Sequence, residues 1–235
     1  MSGSRTAGSR VAVLASGGGS NLGALLEHGE RLGVRRASDV ALVVSGRETA
    51  GALFRARERA IETAVIAPSD TPSLLALLGE HRIDLVVLAG YLSLVPDAVT
   101  SRFAGRMLNV HPALLPAFGG HGLYGQRVHQ AVIDAGARIS GATVHFVDAH
   151  YDRGPIVAQW PVPVAVDDTP ASLAARVLRV EHLLLPRAVE AVARGAVVLG
   201  SDGRVRGASA PPNTAFSLST LDDASLATRI DALFA

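Results

Sequence analysis

Residues 11–21 read VAVLASGGGSN, and the helical stretch LGALLEHG follows at Leu22. VAVLA is an apolar run typical of a strand that is buried on both faces of a parallel sheet. The three glycines let the backbone approach an anion closely, and the helix N-terminus that follows favours negative charge. We therefore predict a first βα unit with a phosphate site at its turn and Ser20 or Asn21 as the helix cap. The glycines alone also fit a structural tight turn.

Four further apolar runs alternate with helical patterns: VALVVS from Val40, TAVIA from Thr63, DLVVLAG from Asp84 and MLNVH from Met107. This alternation predicts βαβ units and an α/β fold with a doubly wound, mostly parallel sheet. Beyond Pro116 two strand-like runs, SGATVHFV and PIVAQWPVPV, flank the short loop DAHYDRG, which is typical of a hairpin. A C-terminal helix should begin at Asp168, Thr169 and Pro170, and kink or split at Pro186.

The chain length suits one α/β domain, since 235 residues with 49% hydrophobic content can bury a substantial core. We expect this domain over residues 1–200, with an N-terminal half at about 10–112 and a C-terminal half at about 113–200. The tail, 201–235, is rich in Ser, Gly, Pro and Asp. Its SDG and APPN runs indicate turns and loose attachment.

Composition narrows the classes of function. The net charge is +1 without a long basic run, so we expect no nucleic-acid partner. The apolar runs are too short to span a membrane, and the opening MSGSRTAGSR lacks the apolar stretch of a secretory signal, so we expect a cytoplasmic protein. Cysteine and lysine are both absent, which excludes thiol nucleophiles and Schiff-base lysines. We also expect no metal, because the chain has no HExxH motif.

The run LNVHP places Asn109 and His111 two residues apart at a strand end, so both side chains face the same way. Ligands bind at the carboxyl ends of strands in open α/β sheets, and an amide beside an imidazole suits an oxyanion. Each residue alone also fits a turn or a buried histidine. Asp152 in YDRGP alone fits a turn, and Glu181 alone fits a solvated helix face.

A dinucleotide site is a second interpretation of the glycine loop. Leu22 stands where the third glycine of the dinucleotide fingerprint belongs, and no acidic residue ends the second strand. Both departures make the prediction of a nicotinamide cofactor weaker. Arg47 after the second strand could still accept the extra phosphate of NADP, so an NADP-dependent oxidoreductase stays open.

Taken in order, GGGSN, LAGY, LNVHPALLP, GATVHFVDAHYDRGP and RVEH resemble the glycinamide ribonucleotide formyltransferase family, from about Arg10 to Gly195. The resemblance implies a Rossmann-like formyltransferase fold. It also implies transfer of a formyl group from 10-formyltetrahydrofolate to the amine of glycinamide ribonucleotide, in purine biosynthesis, without a metal or a covalent enzyme intermediate. The implied partners are these two small molecules, and the implied assembly is a monomer or homodimer.

The resemblance also assigns residues. Asn109, His111 and Asp152 match the catalytic set, in which the aspartate keeps the histidine protonated. Four residues match contacts to the ribonucleotide, the first three of them to its phosphate: Gly19, Ser20, Asn21 and Glu181. The folate-binding matches are Leu92, Ser93, Leu94, Val95, Asn109, His145, Asp148, Ala149, His150, Tyr151 and Asp152.

The chain departs from the family pattern at several places. Ser93 stands where an arginine is frequent, and Gly46 replaces the usual asparagine of the second-strand motif. The run AFGGHGLYG replaces the usual PGxH, so His121 has no secure match. The stretch SDTPSLLALL offers no arginine for the folate tail. The folate contacts are therefore the part of the resemblance that these departures affect.

Related activities share the same catalytic residues. Methionyl-tRNA formyltransferase adds a C-terminal domain and formyltetrahydrofolate deformylase an N-terminal one, whereas only short stretches flank Val11 and Gly200 here, so we expect neither. A sugar-nucleotide formyltransferase would keep the chemistry, and GGGSN with Glu181 favours a phosphoribosyl amine instead. A noncatalytic nucleotide sensor is a further alternative.

Overall fold

The computed structural model describes residues 8–207 and 223–234, which form a seven-stranded sheet, a two-stranded sheet and seven α-helices. The strands are β1 Ser9–Leu14, β2 Ser38–Ser45, β3 Glu62–Val65, β4 Leu85–Leu88, β5 Met107–His111, β6 Ile139–Phe146, β7 Ile156–Pro163, β8 Val198–Leu199 and β9 Val205–Arg206. The helices are α1 Ser20–Leu32, α2 Gly51–Arg57, α3 Thr71–Glu80, α4 Asp97–Arg102, α5 Gln126–Asp134, α6 Pro170–Ala193 and α7 Asp223–Asp231.

The large sheet has the strand order β3-β2-β1-β4-β5-β6-β7. Its first five strands are parallel, while β6 and β7 run antiparallel as a hairpin beside β5. The chain reverses its direction of travel across the sheet between β1 and β4, and such switch points open a crevice for ligands. Two hydrogen bonds join the loops there, from the Ser16 amide to the Gly90 carbonyl and from the Leu92 amide to the Ser16 hydroxyl.

Helices cover both faces of this sheet, as a doubly wound fold requires. Alternate residues of β1 belong to different cores: Val11 and Val13 pack with α1, α2, α5, α6 and α7, whereas Ala12 and Leu14 pack with α3 and α4. Strands buried on both faces need apolar residues at every position. This explains why β1, β2 and β4 appear in the sequence as continuous apolar runs.

The strand predictions are confirmed. All five apolar runs of the first half form the parallel part of the sheet, and SGATVHFV and PIVAQWPVPV pair as the predicted antiparallel hairpin. The start of the C-terminal helix is also confirmed, because Thr169 caps α6 in a reciprocal hydrogen-bond pair with Ser172, and Pro170 is its first residue.

Of the kink or split predicted at Pro186, the split is wrong and the kink stays a prediction. Helix α6 runs unbroken from Pro170 to Ala193, with Pro186 buried inside it. Its packing against α1, α5 and β6 holds the helix across the position where the proline removes a hydrogen bond. None of the helices in the two described ranges combines the length and apolar character needed to cross a membrane.

The described part of the tail contains the turn predicted at SDG and also a helix that was not predicted. The SDG run is the turn of the β8–β9 hairpin, and helix α7 packs on α6. Leu226, Ile230 and Leu233 are buried in the larger core, and Arg187 on α6 pairs with Asp231 at 2.5 Å. The APPN run lies outside the described residues. The division at residue 200 stays a prediction, and helix α7 beyond it contributes to the core.

The Ile230 side chain tests whether α7 stabilises the fold. Ile230→Ala should lower the free energy of unfolding by about 2 to 4 kcal/mol, because it leaves a cavity at a site with 0% exposure. Urea unfolding followed by circular dichroism measures this loss, with Thr228→Ala on the exposed side of the same helix as the control. Equal stability of the two variants would contradict the packing.

Candidate active site

A cavity of about 520 Å³ opens where β4 and β5 end at the sheet edge. The loops after β4, β5 and β6 form part of its wall, and helices α1, α5 and α6 also contribute, among others through Asn21 and Glu181. A cavity of this size can enclose most of the surface of a small ligand. It therefore suits the small-molecule partners expected from the sequence.

Most of the predicted site residues lie together on the wall of this cavity. The wall includes the following predicted residues: Asn21, Leu92, Ser93, Leu94, Val95, Asn109, His111, His145, Asp148, His150, Tyr151, Asp152 and Glu181. Three predicted residues, Gly19, Ser20 and Ala149, are not part of this wall. The structure thus brings segments from both halves of the chain to one place.

The Asp152 carboxylate is the centre of the polar cluster in this cavity. Its Oδ1 accepts a hydrogen bond from Asn109 Nδ2 at 3.3 Å, and its Oδ2 accepts one from the Gly120 amide at 2.9 Å. Oδ2 also lies 3.5 Å from His111 Nδ1. Burial alone would raise the pKa of Asp152, but the proximity of His145 and His111 and the hydrogen bond from the Gly120 amide together lower it. The carboxylate is therefore ionised at neutral pH.

His145 fixes the orientation of Asn109. The imidazole is 1% exposed, and its Nδ1 lies 2.7 Å from the Phe146 carbonyl, so this nitrogen carries the proton. The other nitrogen, Nε2, is then an acceptor for Asn109 Nδ2 at 3.1 Å. One amide hydrogen of Asn109 is held by His145, and the other makes the longer bond to Asp152. That second hydrogen is the one an oxyanion in the cavity would take.

His111 differs from the sequence expectation in its charge. Burial lowers the pKa of His111 below its ordinary value of 6.5, and the opposing effects of Asp152 and the Phe118 carbonyl do not make up the difference. This direction favours the neutral imidazole at neutral pH, whereas the resemblance implies that Asp152 keeps it protonated, and that role stays a prediction. Both ring nitrogens nevertheless face acceptors, since Nε2 lies 2.8 Å from the Phe118 carbonyl. If His111 takes up a proton, each of its two N–H groups therefore already faces an acceptor.

The glycine loop leaves the N-terminus of α1 open. Gly19 is the N-cap residue with φ 74°, and no side chain caps the helix, so the prediction that Ser20 or Asn21 does so is wrong. A Cβ at Gly19 would also lie 2.7 Å from the Ala52 Cα, which makes glycine a requirement at this position. The first amides of the helix therefore lack a side-chain acceptor, as expected of an anion site.

Asn21 bonds to α6 instead of capping its own helix. Its Nδ2 donates to Glu181 Oε2 at 2.7 Å, while its Oδ1 is buried without a hydrogen-bond partner. Burial raises the pKa of Glu181 to about 7, against a partial opposing effect of this hydrogen bond. Two predicted substrate residues that are 160 positions apart in sequence thus form one buried polar pair on the cavity wall.

Comparison with known proteins agrees with this geometry. A family model described as formyl transferase matches residues 9–189. The chain belongs to the formyl transferase family. A chloroplastic phosphoribosylglycinamide formyltransferase of Vigna unguiculata is 42% identical over 201 residues, which are 83% of this chain and 64% of that protein. This formyl transferase chain therefore spans just under two thirds of that relative.

Solved structures of formyl transferase relatives share the fold. Phosphoribosylglycinamide formyltransferase from Anaplasma phagocytophilum matches with a TM-score of 0.77 and 36% identity, over 85% of this chain and 94% of that one. A formyltetrahydrofolate deformylase from Pseudomonas syringae pv. tomato matches with a TM-score of 0.75 and 26% identity, over 86% of this chain and 66% of that one. Membership of this family favours formyl transfer over the NADP interpretation of Arg47, whose guanidinium bonds to the Ser16 carbonyl.

Sequence reasoning missed the part of the formyl transferase site that comes from the loop after β5. Phe118 and Gly120 contact His111 and Asp152 through backbone atoms, which no side-chain pattern reveals. His121 lies with its ring centroid 5.7 Å from that of Tyr151, so the loops after β5 and β6 touch at the cavity mouth. The glycine-rich run AFGGHGLYG was the one available signal, since glycines mark close backbone approaches.

The pH dependence of stability tests the burial of Glu181. A raised pKa means that the proton on Glu181 stabilises the fold below about pH 4.5, and that this contribution is lost as the pH rises through about 7. The stability of the protein relative to Glu181→Gln should therefore fall by about 1 to 3 kcal/mol between pH 5 and pH 8. Urea unfolding at both pH values measures it, with the exposed Glu80→Gln as the control. A pH-independent difference would contradict the buried carboxyl.

Proposed function

We infer that this protein transfers a formyl group from 10-formyltetrahydrofolate to the amine of glycinamide ribonucleotide, which yields formylglycinamide ribonucleotide and tetrahydrofolate in purine biosynthesis. The names of its relatives support this acceptor, and the deformylase neighbour supports a formyl folate as the donor. The observation that carries the proposal is the Asp152 carboxylate, which lies within 3.5 Å of both Asn109 Nδ2 and His111 Nδ1 in one cavity.

In the proposed reaction the amine nitrogen attacks the formyl carbon. A C–N bond forms and the carbonyl electron pair moves to oxygen, so an oxyanion develops beside Asn109. Asn109 Nδ2 makes two hydrogen bonds, and the one to Asp152, at 3.3 Å, is the longer. The amide hydrogen in this longer bond can turn to the oxyanion. Collapse of this intermediate restores the carbonyl and breaks the bond to the folate nitrogen.

One proton must move from the attacking amine to the departing folate nitrogen. A neutral His111 can accept a proton, and the adjacent Asp152 carboxylate stabilises the imidazolium that results. The charged ring then faces the developing oxyanion and can give its proton to the leaving nitrogen. The lowered pKa of His111 therefore suits a residue that cycles through both protonation states.

The two substrates would contact different segments of the chain, the ribonucleotide reaching from the cavity to the glycine loop. The open N-terminus of α1 favours the ribonucleotide phosphate, and Arg47 and Arg55 lie beside this loop through hydrogen bonds to the Ser16 and Gly18 carbonyls. The Asn21–Glu181 pair would contact the rest of the ribonucleotide. The segments Leu92–Val95 and Asp148–Asp152 would then surround the folate pterin, as the resemblance implies.

Substitution of Asn109 tests the oxyanion step. Asn109→Ala should lower turnover by roughly 100- to 1000-fold, because one preorganised donor to the oxyanion is lost. The assay follows the folate absorbance change with 10-formyltetrahydrofolate and glycinamide ribonucleotide. Gln130→Ala is a matched control, since that amide is exposed on α5 and bonds only to Asp134 within the described residues. Turnover of Asn109→Ala within about threefold of the wild type would remove Asn109 from the mechanism.

The same assay separates the proposed activity from its closest alternative. The structural likeness to a deformylase favours hydrolysis of the formyl folate as the second candidate. A deformylase would consume the folate and release formate without any amine, whereas a transferase needs the ribonucleotide. If the formyl folate is not consumed either with or without the ribonucleotide, the result supports the sugar-nucleotide or nucleotide-sensor alternatives.

A further inference from the structure

His129 is a buried imidazole on the cavity wall that the proposed mechanism does not use. It lies on α5 and is 4% exposed, between the buried Val128 and the buried Val132 of the same helix. Both valines fill apolar space, with 0% exposure each. His129 is therefore the polar member of the buried face of α5, and it belongs to the lining of the cavity.

Among the described residues, the ring of His129 has no hydrogen-bond partner. Its Nδ1 is enclosed without a hydrogen bond, and neither ring nitrogen bonds to any residue in 8–207 or 223–234. A neutral imidazole always carries one donor and one acceptor. Nδ1 is enclosed, so a ligand in the cavity would not reach it. Nε2 is not enclosed and has no hydrogen-bond partner among the described residues, so on the cavity wall it is the nitrogen available to a ligand.

The surroundings of His129 favour the neutral ring. Burial first, and then repulsion from His111, lower the pKa of His129 below its ordinary value. A neutral ring both donates and accepts, so it suits an uncharged polar ligand group such as an amide. It does not suit a phosphate, for which a cation would be preferred.

The position of His129 indicates which substrate it would meet. Helix α6 packs against both α1 and α5, and it lines the cavity with Ala174, Leu178 and Glu181. His129 thus shares the helical wall with the Asn21–Glu181 pair. The loops expected to hold the pterin, Leu92–Val95 and Asp148–Asp152, are separate contributors to the lining.

We propose that His129 is an additional substrate-contacting residue, which hydrogen-bonds through its imidazole to the amide portion of the glycinamide ribonucleotide. The proposal rests on the proposed function, because it names a contact to the acceptor of that reaction. No covalent step is involved. The AFGGHGLYG run, which departs from the family pattern, leads directly into α5 and places this residue.

Steady-state kinetics of His129→Leu test the contact. The apolar side chain should raise the KM for the ribonucleotide by roughly 3- to 15-fold, as expected for one lost neutral hydrogen bond. The KM for 10-formyltetrahydrofolate should change by less than about twofold. His129→Asn, which keeps a donor and an acceptor, should recover part of the loss, and Gln130→Ala on the same helix should leave both constants unchanged.

Each outcome has a distinct meaning. A thermal midpoint of His129→Leu at or above that of the wild type shows that the variant is folded, because it removes an unpaired polar group. An unchanged KM for the ribonucleotide in this folded variant, or a rise confined to the folate KM, would overturn the proposal. If His129→Leu does not fold, His129→Asn decides alone: a rise in the ribonucleotide KM of up to about 15-fold with an unchanged folate KM supports the contact, and a ribonucleotide KM equal to that of the wild type overturns it. Absence of ribonucleotide-dependent turnover in the wild type would instead refute the proposed function.

Discussion

The Asp152 carboxylate is the interaction on which the rest of the site depends. It joins Asn109 and His111 on β5 to the Gly120 amide in the following loop, and so ties the end of one strand to two loops. Asp152 itself has φ 55°, a left-handed conformation that aspartate tolerates better than most residues. The backbone there turns the carboxylate back into the cavity. Without that charge, Asn109 and the loop after β5 would lose their common partner.

The charge state of the cluster follows from a competition between burial and pairing. Burial favours neutral groups, which lowers the pKa of His111 and raises that of Glu181 to about 7. Asp152 stays ionised because its three neighbours outweigh its burial. The Asp152 carboxylate is thus a negative charge beside a histidine that can gain a proton, which is the arrangement that the proposed proton transfer between an amine and a folate nitrogen needs.

Much of the fold could be predicted from the sequence, and the reasons are local. Strands β1, β2 and β4 are buried on both faces, so their sequences are continuous apolar runs, and the run LNVHP identified β5 together with two site residues. The family resemblance then supplied Asp152 and Glu181, which alone fit a turn and a solvated helix face.

The remaining features depend on contacts between distant segments. The Asn21–Glu181 pair spans 160 positions. Asn21 does not cap its helix because its side chain is buried in this pair. The charge of His111 depends on how deeply the folded chain encloses it. Helix α7 was missed because its buried residues, such as Ile230, become a core only when α6 lies beneath them.

The most direct test of the role of Asp152 is an NMR titration of the His111 imidazole in the wild type and in Asp152→Asn, with the signal assigned by its loss in His111→Asn. The carboxylate raises the pKa of His111 against the effect of burial. We therefore expect a midpoint below 6.5 in the wild type and a still lower midpoint in Asp152→Asn. An equal or higher midpoint in the variant would show that Asp152 does not control the proton on His111.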